Sequence, residues 1–123
     1  MNIFEGIRES LTEILDVEPE CITPETYLVR DLSAESIDLL ELSVALNARF
    51  KIEMNEDMVF LKTLRLCLNQ AAQNGDSAAG RIAGEFPHLG GERVGEILGD
   101  LDDGPVLRVK DIASYVSWRI GSN

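Results

Sequence analysis

Asp31-Leu32-Ser33-Ala34-Glu35-Ser36-Ile37-Asp38-Leu39-Leu40-Glu41-Leu42 is the stretch on which the reading of this chain turns. Val17 to Glu35 contains Pro19 and Pro24 and no helical period, so it reads as a long loop. Apolar residues then recur at helical spacing, and an amphipathic helix is expected from about Ser36 to Phe50. A serine at a helix start has two readings. One is an ordinary cap, for which serine is among the favoured residues. The other is an exposed hydroxyl beside unpaired N–H groups and the positive end of the helix dipole, which suits an attached phosphate. Glu35, Asp38 and Glu41 recur at intervals of three and so share one side of the helix beside Ser36.

Working outward, Ile37, Leu40, Val44 and Phe50 are expected to form the inward face of that helix. Ile3, Ile7, Leu11 and Ile14 mark an earlier amphipathic helix, with Asn2 as its cap. Ile22, Tyr27 and Leu28 are expected to anchor the loop to the core. A last helix spans about Lys110 to Ile120, with Ile112, Tyr115, Val116 and Trp118 as its apolar residues. Three or more helices and no convincing strand predict an all-α bundle.

The run Ile22-Thr23-Pro24-Glu25-Thr26-Tyr27-Leu28-Val29-Arg30 and the stretch quoted above together resemble the acyl carrier proteins. In that family a D-S-L triplet bears 4′-phosphopantetheine on its serine. The resemblance places that serine at Ser36, with Glu35 for Asp and Ile37 for Leu. It extends from the first helix through Met54 and resumes at Val106-Leu107-Arg108-Val109-Lys110-Asp111-Ile112-Ala113-Ser114-Tyr115-Val116. It implies an antiparallel four-helix bundle with a long first loop, here with an extra helical insertion. The chain is then a single domain, 1–123, with core residues 1–54 and 106–123 and an insertion at 55–105. That insertion has 51 residues, where the family usually has fewer than a dozen.

The resemblance implies a carrier and not an enzyme. A phosphopantetheinyl transferase would join Ser36 Oγ to the phosphopantetheine of coenzyme A. Enzymes with basic docking patches would then load and remove acyl groups held as thioesters. Glu35, Ile37, Asp38 and Glu41 are the candidate partner-contact residues. The acidic strip stops early, at Asn47-Ala48-Arg49 and Lys51, which points away from housekeeping fatty-acid enzymes and toward a specialised lipid pathway. A polyketide or aminoacyl carrier stays open as the cargo alternative. So does a helical adaptor without the arm.

Composition agrees with a folded acidic carrier. Hydrophobic residues make up 45% of the 123, and the net charge of −11 disfavours nucleic acid and anionic membrane surfaces. Residues 1–54 hold 12 acids and 4 bases, so most of the negative field surrounds Ser36. Met1-Asn2-Ile3-Phe4-Glu5-Gly6 lacks the pattern of a signal peptide, and no apolar run reaches membrane-spanning length. A cytoplasmic monomer with reduced thiols at Cys21 and Cys67 is expected.

Within the insertion, Met58, Val59, Phe60, Leu61, Leu64, Leu66, Cys67 and Leu68 predict one stable helix over Asn55 to Gln73. Its apolar residues spread over more than one face. Gly75 to Gly104 holds eight of the ten glycines and is expected to be loose, with marginal helices at Arg81-Ile82-Ala83 and Arg93 to Leu98. Cys21, Cys67 and His88 have no catalytic spacing. Asp100-Leu101-Asp102-Asp103-Gly104 departs from a calcium loop in the place of its glycine and in a missing ligand position. No catalytic residue and no metal ligand are therefore assigned.

Overall fold

The computed structural model describes residues 2–121. Seven α-helices follow one another among these: α1 Ile3–Leu15, α2 Ser36–Phe50, α3 Glu56–Val59, α4 Leu64–Asn74, α5 Ala78–Glu85, α6 Gly91–Asp100 and α7 Val109–Gly121. Short 3-10 turns lie at Pro19–Cys21 and Leu101–Asp103. Among the described residues, extended pairing is limited to an isolated antiparallel bridge between Tyr27 and Arg108. The all-α expectation holds, as a helical bundle with extra helices.

α1 forms as its spacing predicts. Asn2 Oδ1 accepts a hydrogen bond from Glu5 N at 3.3 Å, and Ile7 and Leu11 are buried. The helix packs against both α2 and α7. Contact with α2 is close at Gly6, where an added Cβ would meet Phe50 Cζ at 2.7 Å. A glycine inside a helix costs on the order of 1 kcal/mol in propensity, and here it permits that approach.

The face expected to point inward on α2 is corrected. Ile37, Leu40 and Val44 are 56%, 45% and 64% exposed. Leu42, Ser43 and Leu46 are buried instead, with Leu39 and Phe50 half-buried beside them. Both sets have helical spacing, so periodicity alone could not choose between them. The contact with α1 fixes the phase of α2, and of the expected four only Phe50 packs on the core.

The loop between α1 and α2 is held to the segment preceding α7. Leu28 N donates to Leu107 O at 3.1 Å, and Val109 N donates to Thr26 O at 2.9 Å. Ile22 and Leu28 are buried and Tyr27 is half-buried, as expected of anchors. Tyr27 lies between two guanidinium groups, with Arg30 Cζ 4.2 Å and Arg108 Cζ 4.4 Å from the ring centroid. Its hydroxyl donates to Asp100 Oδ2 at 2.6 Å, and Arg30 donates to Asp100 Oδ1 at 3.0 Å and to Gly104 O at 2.8 Å. The Tyr27 hydrogen bond, and after it the one from Arg30, holds the Asp100 carboxyl below its usual range.

The insertion differs from expectation in both halves. The continuous helix over 55–73 is two helices, α3 and α4, separated by a turn in which Leu61 has φ +56°. Lys62 N reaches back to Asp57 O at 3.0 Å, a bond that closes α3 in the Schellman manner. The cause is the spread of apolar residues around the cylinder. A straight helix could not bury Val59, Phe60, Leu61 and Leu64 together, and the turn buries all four.

The stretch Gly75–Gly104 is packed rather than loose. α4 packs on α5 and α5 on α6, and Ile82, Phe86, Leu89, Val94 and Ile97 join the common core. Gly91, Gly95 and Gly99 fall at intervals of four on the opposite, exposed side of α6. Glycine density misled because these glycines share the solvent face. α6 is also pinned to α7. Arg93, 7% exposed, donates from Nε to Asp111 Oδ1 at 2.6 Å and from Nη2 to Oδ2 at 2.8 Å. Arg93 Nη2 also reaches Val106 O at 2.7 Å, and Asp111 accepts from Arg108 N at the start of α7.

Candidate functional site

Ser36 is the first residue of α2, and it is exposed. The segment before it is a tightly hydrogen-bonded turn. Asp31 Oδ2 accepts from Tyr27 N at 2.9 Å, Ser33 N donates to Val29 O at 3.0 Å with Ser33 at φ +56°, and Ala34 N donates to Leu28 O at 3.0 Å. Ala34 is buried and plugs the turn onto the core. The chain then leaves the core in extended conformation at Glu35, φ −103° and ψ 171°.

The N-cap is Glu35, and the serine does not fill that role. Asp38 reaches back so that its Oδ2 accepts from Glu35 N at 2.8 Å, half of a capping box. Leu39 N donates to Glu35 O at 3.1 Å, which starts the helical ladder. Among the described residues none hydrogen-bonds the Ser36 hydroxyl. The capping reading of Ser36 therefore loses its function, and the hydroxyl is left free at a helix N-terminus.

The acidic strip is less uniform than its spacing suggested. Glu35 and Glu41 are exposed, while Asp38 is half-buried and engaged at the helix start. Ile37 is exposed and continues through Leu40 and Val44 as an apolar stripe between the acids. Beyond it, Asn47 Nδ2 donates to Ile52 O at 2.6 Å and Arg49 pairs with Glu9 at 2.9 Å, so neither is a bare surface group.

One feature of the site was not read from the sequence. A cavity of about 320 Å³ opens beside α2, and its lining includes Val29, Leu39, Leu61, Leu64, Leu68 and Leu101. Leu39 lies three residues after Ser36, so the cavity wall begins within a helical turn of the hydroxyl. That i, i+3 relation was the available signal. An exposed, unbonded hydroxyl next to an apolar cavity fits a phosphodiester-linked arm that bears a hydrophobic group.

His88 is buried near α7, with its ring centroid 5.3 Å from that of Tyr115, and is far in sequence from Ser36. Cys21 is exposed and Cys67 buried, both as free thiols. No group of three or more His, Cys, Asp or Glu among the described residues could hold a metal ion. No helix among them is long and apolar enough to cross a membrane.

Residues 5–66 match the profile of the family described as "Phosphopantetheine attachment site", twelve residues past the end of the first resembling block at Met54. The chain is also similar to proteins named "Acyl carrier protein". With the one from Wolinella succinogenes it shares 42% identity over 57 residues, 46% of this chain and 75% of the relative. With the one from Helicobacter pylori strain J99 it shares 40% over 57 residues, covering 46% and 73%. With the one from Campylobacter curvus it shares 37% over 54 residues, covering 44% and 70%. No solved structure matches this chain. The family implies a phosphopantetheinyl transferase and acyl-handling enzymes as partners. With a family match over half its residues and relatives covered over more than two thirds of their length, the chain belongs to the acyl carrier protein family: a carrier of covalent 4′-phosphopantetheine, not a catalyst.

Proposed function

We propose that Ser36 is the attachment point and that the chain carries acyl groups as thioesters for a specialised lipid or fatty-acid-related pathway. The observation that carries this reading is the free Ser36 hydroxyl at the start of α2, relieved of capping by Glu35 and Asp38. In the modification, Ser36 Oγ bonds to the phosphorus of the phosphopantetheine phosphate, the pyrophosphate bond of coenzyme A breaks, and the nucleotide leaves. The proton of Ser36 passes to a base of the transferase, since no described residue is bonded to the hydroxyl. The bound arm supplies a terminal thiol that holds the cargo as a thioester.

Glu35 and Glu41 offer charge to basic patches, and Ile37, Leu40 and Val44 offer apolar surface between them. Charge speeds encounter and sets orientation, whereas buried apolar contact gives affinity. Asp38 acts chiefly through the helix start. The carrier unit is α1, α2, α3 and α7, supported by α3 packing on α7 and by a family match that runs past α3. α4 to α6 are then the inserted part of one domain. A cytoplasmic monomer is the setting that fits this role.

Intact mass after incubation with coenzyme A and a broad-specificity transferase tests the reading. One phosphopantetheine on the Ser36 peptide is expected, with none on Ser36→Ala, which stays helical. Modification of the Ala variant at another residue overturns the assignment. The same measurement separates a carrier from an adaptor without the arm, which would stay unmodified.

A further inference from the structure

Tyr27 to Ala34 is one hydrogen-bonded turn, and Ser36 stands two residues beyond its end. Asp31 N and Leu32 N both donate to Tyr27 O, at 3.1 and 3.3 Å, and Ala34 N donates to Leu28 O at 3.0 Å. The backbone at Tyr27 and Leu28 is therefore the base on which the turn is built. A shift there is carried to the buried Ala34 and on to the start of α2.

That base is tied on two sides. Backbone bonds hold residues 24–28 to Leu107 and the first turn of α7, with Lys110 N donating to Pro24 O at 2.9 Å beside the two bonds at Thr26 and Leu28. Side chains hold it to the end of α6. Arg30 donates from Nη1 to Asp100 Oδ1 at 3.0 Å, and from Nη2 to Asp100 O at 3.0 Å and Gly104 O at 2.8 Å. The Tyr27 hydroxyl donates to the other carboxylate oxygen at 2.6 Å and accepts from Arg108 Nη2 at 2.5 Å. The Arg30 and Asp100 side chains are 19% and 17% exposed, so water screens this pair less than an exposed one. One carboxylate thus joins the first and fourth residues of the turn. Tyr27 and Arg30 fall within the residues 5–66 that match the family, whereas Asp100 and Gly104 lie outside them.

We infer that Asp100 is a positioning residue for the reaction at Ser36: through Tyr27 and Arg30 it fixes the turn that sets where the hydroxyl stands, so the end of α6 governs how fast the arm is attached. This rests on attachment at Ser36. Asp100 bonds Tyr27 and Arg30 and not Ser36, so its effect is on orientation. The transferase must bring Ser36 Oγ up to the phosphorus it attacks, and a displacement of about 1 Å can cost on the order of a hundredfold in rate. The exposed α2 residues offered for docking make no bond to Asp100. A loosened turn should therefore lower kcat and leave KM little changed.

Initial rates of phosphopantetheine transfer from coenzyme A by a broad-specificity transferase test this on the full chain, read by intact mass over a range of chain concentrations. Asp100→Ala is expected to lower kcat about tenfold and Tyr27→Phe about threefold, with KM little changed. Both cut the same connection, so the double variant should be close to Asp100→Ala alone. Asp100→Asn keeps an acceptor oxygen for the Tyr27 hydroxyl and should recover most of the rate. The Ala34 amide should exchange faster in Asp100→Ala while helical content is kept. Leu98→Ala is the control for lost stability: it trims a half-buried α6 side chain packed on the core, and should lower the urea midpoint but keep the wild-type kcat.

A wild-type kcat in Asp100→Ala, or an equal loss in Leu98→Ala, overturns the inference and leaves Asp100 a staple of the fold. Losses that multiply in the double variant overturn the route through Tyr27. Tyr27→Phe keeps the ring between its two guanidinium groups, so if Asp100→Ala does not fold, a wild-type kcat in Tyr27→Phe overturns the inference in its place. An arm mapped to a peptide without Ser36 counts against the Ser36 assignment instead, and is seen before any rates are compared.

Discussion

His88 is the chain's single histidine, and its environment makes it a reporter of pH. Both ring nitrogens are buried without a hydrogen-bond partner among the described residues, and Phe86 and Tyr115 pack edge-on to the ring. Burial pushes the imidazole down to about 4, against an opposing pull from Asp111. The folded state therefore prefers the neutral ring more strongly than the unfolded chain does. Stability is full above the ordinary value near 6.5 and falls as pH drops from there toward 4. Allowing for solvent screening, the loss is roughly 1 kcal/mol per pH unit in that window. Glu25 is held below its ordinary value by Lys110, and Glu96 likewise. Their stabilising contributions fade only near and below the usual carboxylate range, so the fall between pH 6.5 and 5 belongs to His88. Urea denaturation across this range should show the slope in the wild type and lose it in His88→Leu. An unchanged slope in the variant would assign it elsewhere.

Among the elements, α6 makes two opposite predictions. Gly95 and Gly99 sit on its exposed face, and an added Cβ at either would meet nothing within 4 Å. Gly95→Ala and Gly99→Ala should each stabilise the chain by about 0.5–1 kcal/mol, read as a rise in the urea midpoint. On the inner face, Arg93→Met should destabilise it by about 3–5 kcal/mol, because Asp111 would be left buried without its partner. A double variant with Asp111→Leu should recover only part of that loss, since Asp111 also receives Arg108 N.

α6 shows what the sequence could and could not tell. Its buried Val94 and Ile97 had helical spacing, and short helices here were legible. Their stability was not, because a count of glycines does not say which face they occupy. α2 failed in a related way. Its start at Ser36, and with it the candidate site, could be read from local chemistry, whereas its phase depended on Gly6 and Phe50 meeting across the bundle. Leu61 posed a third problem, since a left-handed leucine has no local signature and follows from burying four apolar residues at once.

For the whole molecule, the consequences concern partners and exchange. Hydrogen exchange should find slow amides in α5 and α6, comparable to those in α1, because both contribute to the common core. Fast exchange throughout 78–100 would show that the packing is not maintained in solution. Lengthening the acidic strip tests partner choice. Arg49 is paired with Glu9 and Asn47 donates to Ile52 O, so changing either disturbs the end of α2. Ala48 is exposed and leaves both bonds untouched. Ala48→Glu should therefore raise the initial rate of the acyl-loaded chain with housekeeping elongation enzymes at low salt, and less so at high salt. No gain at low salt would remove the support for a specialised pathway that rests on the short strip.

The Tyr27 cluster limits how this protein could be cut down or rebuilt. Arg30 and Tyr27 belong to the loop leading to Ser36, yet Asp100 and Gly104, which hold them, come from the end of the insertion. A shortened version joining α3 directly to the segment before α7 would strip those partners from the loop and leave Arg30 stacked on the Tyr27 ring without its carboxylate. Conversely, grafting α4 to α6 into a plain carrier would not bring Tyr27 and Arg30 along. The inserted helices and the turn that presents Ser36 are mated parts, and neither transplants without the other.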